Sequence, residues 1–313
     1  MDLKQLKIRG LMPVWFRTVL SVITLVLISS CTTLNNSKNP PEVIQEAPVR
    51  LYYEVQGEGP PILFIHGFGA NLYTYHDLIP ALSREHQLFL LDLKGFGKSP
   101  KPAGQKYSVE DQASLVIQFI LQHDLTDLTI VGHSYGGGVA LVTALRLIEE
   151  SPHRLRALIL IDSAAYPPEF PTFIRILRTP VLGPLVMSLL SSRRMARSIL
   201  KLAFYDETKI SEETIEKYAA PLDTPGSHNA LIETAKQIVP PNIEEINAGY
   251  KKIQVPVLIL WGREDKIIPL KYGERLHEDL VNSKLMIFEK TGHIPQEEKP
   301  EEAIKLITEF LLN

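Results

Sequence analysis

The chain has 313 residues, 45% hydrophobic and 22% charged, with a formal net charge of −3. This is globular composition with ample apolar material for a large core, and it lacks the basic excess expected of a nucleic-acid partner. One cysteine rules out an intrachain disulfide, and the sequence offers no repeat, phosphate loop or metal-ligand cluster.

The N-terminus reads apart from the rest. Lys4, Lys7, Arg9 and Arg17 precede or border an uncharged apolar run from Thr18 to Ile28, closed by the small residues Ser29 and Ser30. The run is short for a bilayer span of about 20 residues and has the layout of a secretory signal. Cys31 follows directly. Leu27-Ile28-Ser29-Ser30-Cys31 resembles a bacterial lipoprotein signal. The resemblance implies that residues 1–30 are removed and that Cys31 becomes a diacylated N-terminus. The lipid would hold the protein to a membrane of the cell envelope, facing away from the cytoplasm, and several acyl chains anchor stably where one is marginal. An uncleaved anchor helix ending in a free cysteine, and an ordinary cleaved signal, are the other two readings. Loss of residues 1–30 leaves 29 basic and 35 acidic residues, a net charge of −6. Residues 31–48 are rich in Asn, Ser and Pro and read as a spacer.

From Val49 onward short apolar runs alternate with helical patterns. The predicted strands are Leu51–Val55, Ile62–Ile65, Leu88–Leu91, Leu128–Val131, Ala157–Ile161, Val257–Leu260 and Leu285–Phe288. Most are apolar throughout, as parallel strands covered on both faces are. Helices are predicted at about Tyr73–Ser83, Val109–His123, Tyr135–Glu150, Tyr272–Val281 and Glu301–Leu312. Ser108 is placed as an N-cap, with Glu110 and Asp111 in the first turn, and Pro300 as a first helical residue. The alternation predicts an α/β fold with a mostly parallel, doubly wound sheet. Between Ala164 and about Lys252 it stops: helical segments separated by prolines, with no convincing strand. That stretch reads as a helical cap inserted after the sixth core strand, at the carboxyl edge of the sheet where ligands of open α/β sheets bind. The expected domains are thus core 49–163, cap 164–253 and core 254–313.

One stretch carries chemistry. Leu128-Thr129-Ile130-Val131 runs into Gly132-His133-Ser134-Tyr135-Gly136, a strand leading into a glycine-bracketed serine and then a small-residue helix start. This is the pattern of a nucleophile elbow, in which the glycines let strand and helix backbones approach. Alone it occurs by chance in roughly one chain in ten of this length, so the serine needs partners. For a base, His293 in Thr291-Gly292-His293-Ile294-Pro295 lies just past the last strand. His133 is expected to point away from the elbow, and His66 and His86 to be structural. For the acid, Asp265 past Leu258-Ile259-Leu260-Trp261-Gly262 is favoured over Asp162, which ends the preceding strand. The oxyanion hole is expected from the backbone N–H groups of Tyr135 and of Phe68, the latter in His66-Gly67-Phe68-Gly69.

Taken together these residues resemble the α/β-hydrolase superfamily, in its capped branch of esterases and carbon–carbon bond hydrolases. The likeness runs from about Val49 to Leu312. It includes Asp92-Leu93-Lys94-Gly95-Phe96-Gly97-Lys98-Ser99, similar to the family's D-x-R-G-x-G-x-S turn with Lys94 in place of Arg, and the family's order Ser, Asp, His. It implies a serine hydrolase acting on a small-molecule ester through Ser134, Asp265 and His293, without cofactor or metal. Ser134 in place of aspartate argues against epoxide hydrolases and haloalkane dehalogenases. Carbon–carbon hydrolysis, with Arg263 after Trp261-Gly262 as in that group, cofactor-free haloperoxidase or acyltransferase chemistry, and a non-enzymatic pseudo-hydrolase receptor or scaffold are the alternatives.

Overall fold

The computed structural model describes residues 49–312 apart from Gln105 and Pro168. The expected signal, Cys31 and the spacer lie outside the described residues. Seven strands form one sheet: β1 (Tyr53–Gln56), β2 (Pro61–Ile65), β3 (Gln87–Leu91), β4 (Leu128–His133), β5 (Leu155–Ile161), β6 (Val257–Gly262) and β7 (Ser283–Phe288), in the order β1-β3-β2-β4-β5-β6-β7. Only β1 pairs antiparallel, against β3; every other pairing is parallel. Each run predicted to be a strand is one.

The pleat explains why the runs are apolar on both sides. In β2, Leu63 and Ile65 enter one core cluster and Ile62 and Phe64 enter the other. On the first face lie α2 (Val109–Gln122), α3 (Tyr135–Glu150) and α10 (Lys271–Asp279), which contribute Val116, Ala140 and Leu276. On the second, α1 (Ile79–Leu82) and α12 (Pro300–Leu311) contribute Leu82 and Ile307. Ser108 caps α2 reciprocally: its Oγ accepts from Asp111 N–H at 3.1 Å and its own N–H reaches Asp111 Oδ2 at 3.0 Å. Pro300 opens α12, as expected. The helix predicted over Tyr73–Ser83 is in fact two pieces, a 3-10 turn at Leu72–Tyr75 capped by Asn71 and then α1. Pro80 begins a helix well but has no N–H to continue one.

The helical insertion leaves the sheet after β5, the fifth strand in chain order among those described and not the sixth as expected, because only five apolar runs before Ala164 form strands. It holds α4 (Thr172–Arg178), α5 (Leu182–Leu189), α6 (Ser192–Ala203), α7 (Glu212–Ala219), α8 (Ser227–Lys236) and α9 (Ile243–Gly249), with no strand among its described residues. Leu177, Leu200 and Leu231 of these helices share the first core cluster with the sheet residues. The insertion is therefore packed onto the carboxyl edge of the sheet. It returns at β6, which carries Asp265 just beyond its end.

Candidate active site

The carboxyl ends of β4, β6 and β7 meet at one point. β4 runs straight into Ser134, whose φ of +52° and ψ of −122° are strained for a serine. The turn is possible because Gly136 has no side chain: a Cβ there would stand 2.2 Å from the carbonyl oxygen of Ile65. Ser134 N–H donates to Ile161 O at 2.9 Å, which ties the elbow to β5. α3 begins at once, so its positive dipole end faces the serine.

After β7 the chain turns at Thr291-Gly292 and presents His293. The close crossing of this loop over β6 requires Gly262, where a Cβ would fall 1.8 Å from Gly292 O. His293 Nδ1–H donates to Asp265 Oδ2 at 2.7 Å. Nε2 is then the acceptor, and Ser134 Oγ–H points to it at 2.8 Å. Asp265 is held by its other oxygen, which accepts from Ile267 N–H at 2.7 Å and Ile268 N–H at 2.9 Å. All three side chains are buried. The sequence-expected partners of Ser134 are thus together, in the geometry in which a histidine takes a proton from a serine.

The loop after β2 sits against the elbow: a Cβ on Gly67 would stand 3.0 Å from Ser134 Cβ. Gly69 turns the loop with φ of +70°, and Ala70 N–H closes it on Gly67 O at 3.2 Å. Among the described residues neither Phe68 N–H nor Tyr135 N–H has a backbone acceptor. Both residues line the same cavity as Ser134. The Asp92–Ser99 turn backs this loop. Asp92 accepts from Leu72 N–H at 2.8 Å and Lys98 N–H at 2.7 Å, and Phe96 places its ring 5.9 Å from that of Phe68. Lys94 is buried with its ammonium 4.4 Å from the centre of the Tyr107 ring.

The other histidines divide. His66 accepts from Leu93 N–H at 3.0 Å and donates to Gly67 O at 2.8 Å. Burial pushes its pKa down, so it is a neutral strut for the oxyanion loop. His86 lines neither cavity at Ser134. His133 differs from the expectation that it points away from the elbow. Its Nε2–H donates to His293 O at 2.8 Å, its ring lies 5.0 Å from that of His293, and it lines a cavity with Ser134. The carbonyl of the incoming histidine loop is the acceptor that draws it inward. Burial and the neighbouring His293 hold its pKa well below the usual histidine value, and Nδ1 has no protein partner among the described residues.

Asp162 lies behind the acid. One oxygen accepts from Gly262 N–H at 3.0 Å, and its carboxylate, that of Asp265 and a nitrogen of His293 offer atoms within 4.8 Å of one another. Burial, and then the adjacent charge of Asp265, raise its pKa well above the usual carboxylate range. Asp162 is accordingly favoured in its protonated form beside Asp265. It does not contact His293 in the hydrogen-bonded sense that Asp265 does. The cluster has the atom types of a metal site, but His293 and Asp265 spend their facing atoms on each other.

Two cavities meet at Ser134. The larger, about 270 Å³, includes His293, His133 and Ile294 in its wall and runs out under α5 and α6 along Leu190 and Ile199. The smaller, about 70 Å³, runs along α3 and α9 past Tyr135, Val142 and Ile243. Among the described residues no Lys, Arg, Asp or Glu lines either one. Arg263 is not among the lining residues. It pairs with Glu289 at 2.7 Å on the surface.

Sequence reasoning missed Glu297 and Glu298. Glu298 accepts from Gly292 N–H at 2.6 Å and from Tyr205 N–H at 2.9 Å, and His293 N–H donates to Ala203 O at 2.7 Å. The histidine loop is thereby fastened to the end of α6. Glu297 accepts from Thr74 Oγ1 at 2.6 Å and from the hydroxyl of Tyr218 on α7. Burial outweighs these hydrogen bonds and pushes its pKa up to about 7. The only local signal for either residue is the Pro295 that opens a short helix, α11 (Pro295–Glu298), after His293.

Fold and site together define a hydrolase-family enzyme. The chain belongs to the alpha/beta hydrolase fold family, whose model matches residues 60–185 and 194–300. It is 30% identical over 270 residues to the uncharacterized hydrolase YugF of Bacillus subtilis, covering 84% of this chain and 94% of that one. It is 32% identical over 237 residues to a pimeloyl-[acyl-carrier protein] methyl ester esterase of Neisseria meningitidis, covering 75% and 86%. Among solved structures, the meta-cleavage product hydrolase CumD of Pseudomonas fluorescens superposes with a TM-score of 0.71 at 26% identity, over 84% of this chain and 94% of that chain. The described stretch is therefore nearly the whole length of such relatives.

Proposed function

We propose that this protein is a serine hydrolase that cleaves carboxylic esters, tethered to a membrane of the cell envelope through lipid on Cys31. The observation that carries the reading is the unbroken hydrogen-bond path from Asp265 through His293 to Ser134. In the first half-reaction Ser134 Oγ attacks the ester carbonyl while His293 Nε2 takes its proton. The N–H groups of Phe68 and Tyr135 receive the negative charge on the carbonyl oxygen. His293 then gives the proton to the departing alkoxide, and an acyl ester on Ser134 remains. In the second half-reaction water repeats the sequence and releases the acid. Asp265 keeps the proton of His293 on Nδ1 and stabilises the imidazolium.

The two cavities have distinct places in this scheme. The leaving alcohol must lie beside His293, which protonates it, so it occupies the larger cavity. The acyl group occupies the smaller one, beside Tyr135. Among the described residues both walls lack Lys, Arg, Asp and Glu, which supports an ester apolar on both sides of the carbonyl. Carbon–carbon hydrolysis of a dienol acid is the second reading, favoured by the likeness to CumD. It calls for Lys or Arg side chains to meet a carboxylate, and among the described residues neither cavity is lined by one. The Neisseria relative is named as a methyl ester esterase and supports the ester reading, while the Bacillus relative, an uncharacterized hydrolase, is compatible with either chemistry. Tethering rests on the resemblance of Leu27–Cys31 to a lipoprotein signal.

The test is kcat/KM for p-nitrophenyl esters, amides, lactones and a dienol-acid panel on one preparation. Esters of apolar acids and alcohols are expected to lead. A dienol acid turned over faster than every ester would replace this reading by the second, and absence of any turnover would favour a pseudo-hydrolase scaffold.

A further inference from the structure

Five of the eleven large hydrophobic side chains exposed in the described residues fall within ten positions. These are Val181 (79% exposed), Leu182, Leu185, Leu189 (71%) and Leu190. They belong to α5 and its flanking turns. Gly183 and Met187 of the same helix are buried, and Val186, Met187 and Leu190 form part of the wall of the larger cavity. One side of the helix thus faces the cavity and the other faces outward, with aliphatic side chains on both. No charged residue occurs from Thr179 to Ser192. Such a contiguous apolar face is uncommon on a soluble monomer unless something covers it.

The charges around the patch say what covers it. Phe170 to Tyr205 contains six basic residues and no acidic one, in a chain whose overall charge is negative. Arg193 and Arg197 are paired with Glu212 of α7. Arg175 on α4 and Arg194 on α6 are exposed and form no ion pair among the described residues. They stand on the two helices that flank α5 in the chain. We infer that α5 and its flanking turns are a docking surface for an anionic phospholipid bilayer, placed on the outer wall of the larger cavity. Aliphatic side chains would enter the acyl region while the arginines meet headgroup phosphates, the layout of an interfacial helix. A protein partner would more often be met by aromatic anchors than by Leu and Val, and this patch has no aromatic residue. The spacer of residues 31–48 reaches about 60 Å when extended, enough for a lipid-held unit to lay this face on its own membrane. The inference concerns adsorption and stands apart from the chemistry assigned to Ser134.

The experiment uses residues 49–313, which hold every described strand and both described core clusters and match relatives over nearly their full length. Carrying Ser134→Ala, so that turnover plays no part, the unit is sedimented with vesicles of phosphatidylcholine alone or with one quarter phosphatidylglycerol. It is expected to bind the mixed vesicles more tightly. Leu185→Ser with Leu189→Ser should weaken binding to both by at least about tenfold. Arg175→Gln with Arg194→Gln should weaken binding to the mixed vesicles only, by about fivefold per arginine. In a Ser134 background, both pairs of variants should hydrolyse a soluble short-chain ester as the parent does, which controls for folding. No binding to either vesicle, binding unmoved by the leucine pair, or equal binding to both vesicles with no effect of the arginine pair would overturn the inference.

Discussion

Replacing Asp265 by Asn tests whether the histidine is oriented as the geometry requires. The carboxylate has one oxygen committed to two backbone donors, Ile267 N–H and Ile268 N–H, and the other committed to His293. An asparagine in that position can keep its oxygen only on the side of the two amides. Its NH₂ then faces Nδ1, which must give up its hydrogen and become an acceptor. The ring proton moves to Nε2, where it points at Ser134 Oγ and blocks proton removal. A wrong-tautomer histidine costs about 10⁴-fold in kcat, roughly 5 kcal/mol. Asp162→Asn is the matched control, equally buried and next door. Burial favours the neutral form of Asp162, one oxygen accepts from Gly262 N–H, and an amide can reproduce that acceptor while its NH₂ faces Asp265. It should keep kcat within about threefold. The assay is kcat on a p-nitrophenyl ester, with thermal melts to show that both variants fold. If Asp162→Asn lost more activity than Asp265→Asn, the acid would be Asp162 and the tautomer argument would fail.

Other expected outcomes follow from the same geometry. Glu297 has its pKa raised from an ordinary 4.5 to about 7, so the folded protein prefers the protonated form. The stability this group contributes is complete below pH 4.5 and is lost as pH rises to about 7, by up to about 3 kcal/mol. Glu297→Gln keeps an oxygen for Thr74 and Tyr218, so its advantage in melting temperature over wild type should grow by roughly 5 °C between pH 5 and pH 8; an advantage unchanged with pH contradicts the shift. Along p-nitrophenyl esters, kcat/KM should rise from acetate to about hexanoate, by up to about fourfold per methylene, and fall by decanoate as the small cavity fills. Along butyrates of longer alcohols it should continue to rise; a steady fall from acetate would show that the small cavity does not take the acyl chain. Metabolic labelling with an alkynyl fatty acid should mark wild type and spare Cys31→Ser, and equal labelling of both would remove the lipid tether.

What the sequence made legible was local. The strands announce themselves as apolar runs because each is covered on both faces, and α3 begins at Tyr135 because the elbow glycines end β4 there. Ser134, Asp265 and His293 each sit just past a strand in a loop whose glycines mark a close crossing. That is why residues more than a hundred positions apart could be paired before their contact was visible. What remained hidden depends on contacts with no local trace. His133 turns inward because of a carbonyl 160 residues away. Glu297 joins Thr74 to Tyr218 across the sheet and the insertion. Arg263 carries a family motif, yet Glu289 draws it to the surface. Nothing near Asp162 in sequence reveals that it is fully buried with Asp265 beside it, the two causes that favour its protonated form.

Labelling by a fluorophosphonate tests the central claim most directly, because it needs a nucleophile, a base and an oxyanion hole but no knowledge of the substrate. Wild type should take up one label, located by peptide mass analysis on Ser134, and lose ester turnover in step with it. Ser134→Ala should take up none, with ester turnover down by about 10⁴-fold or more and an unchanged melting temperature. Label on another residue, or more than a tenth of wild-type turnover in Ser134→Ala, would contradict the account.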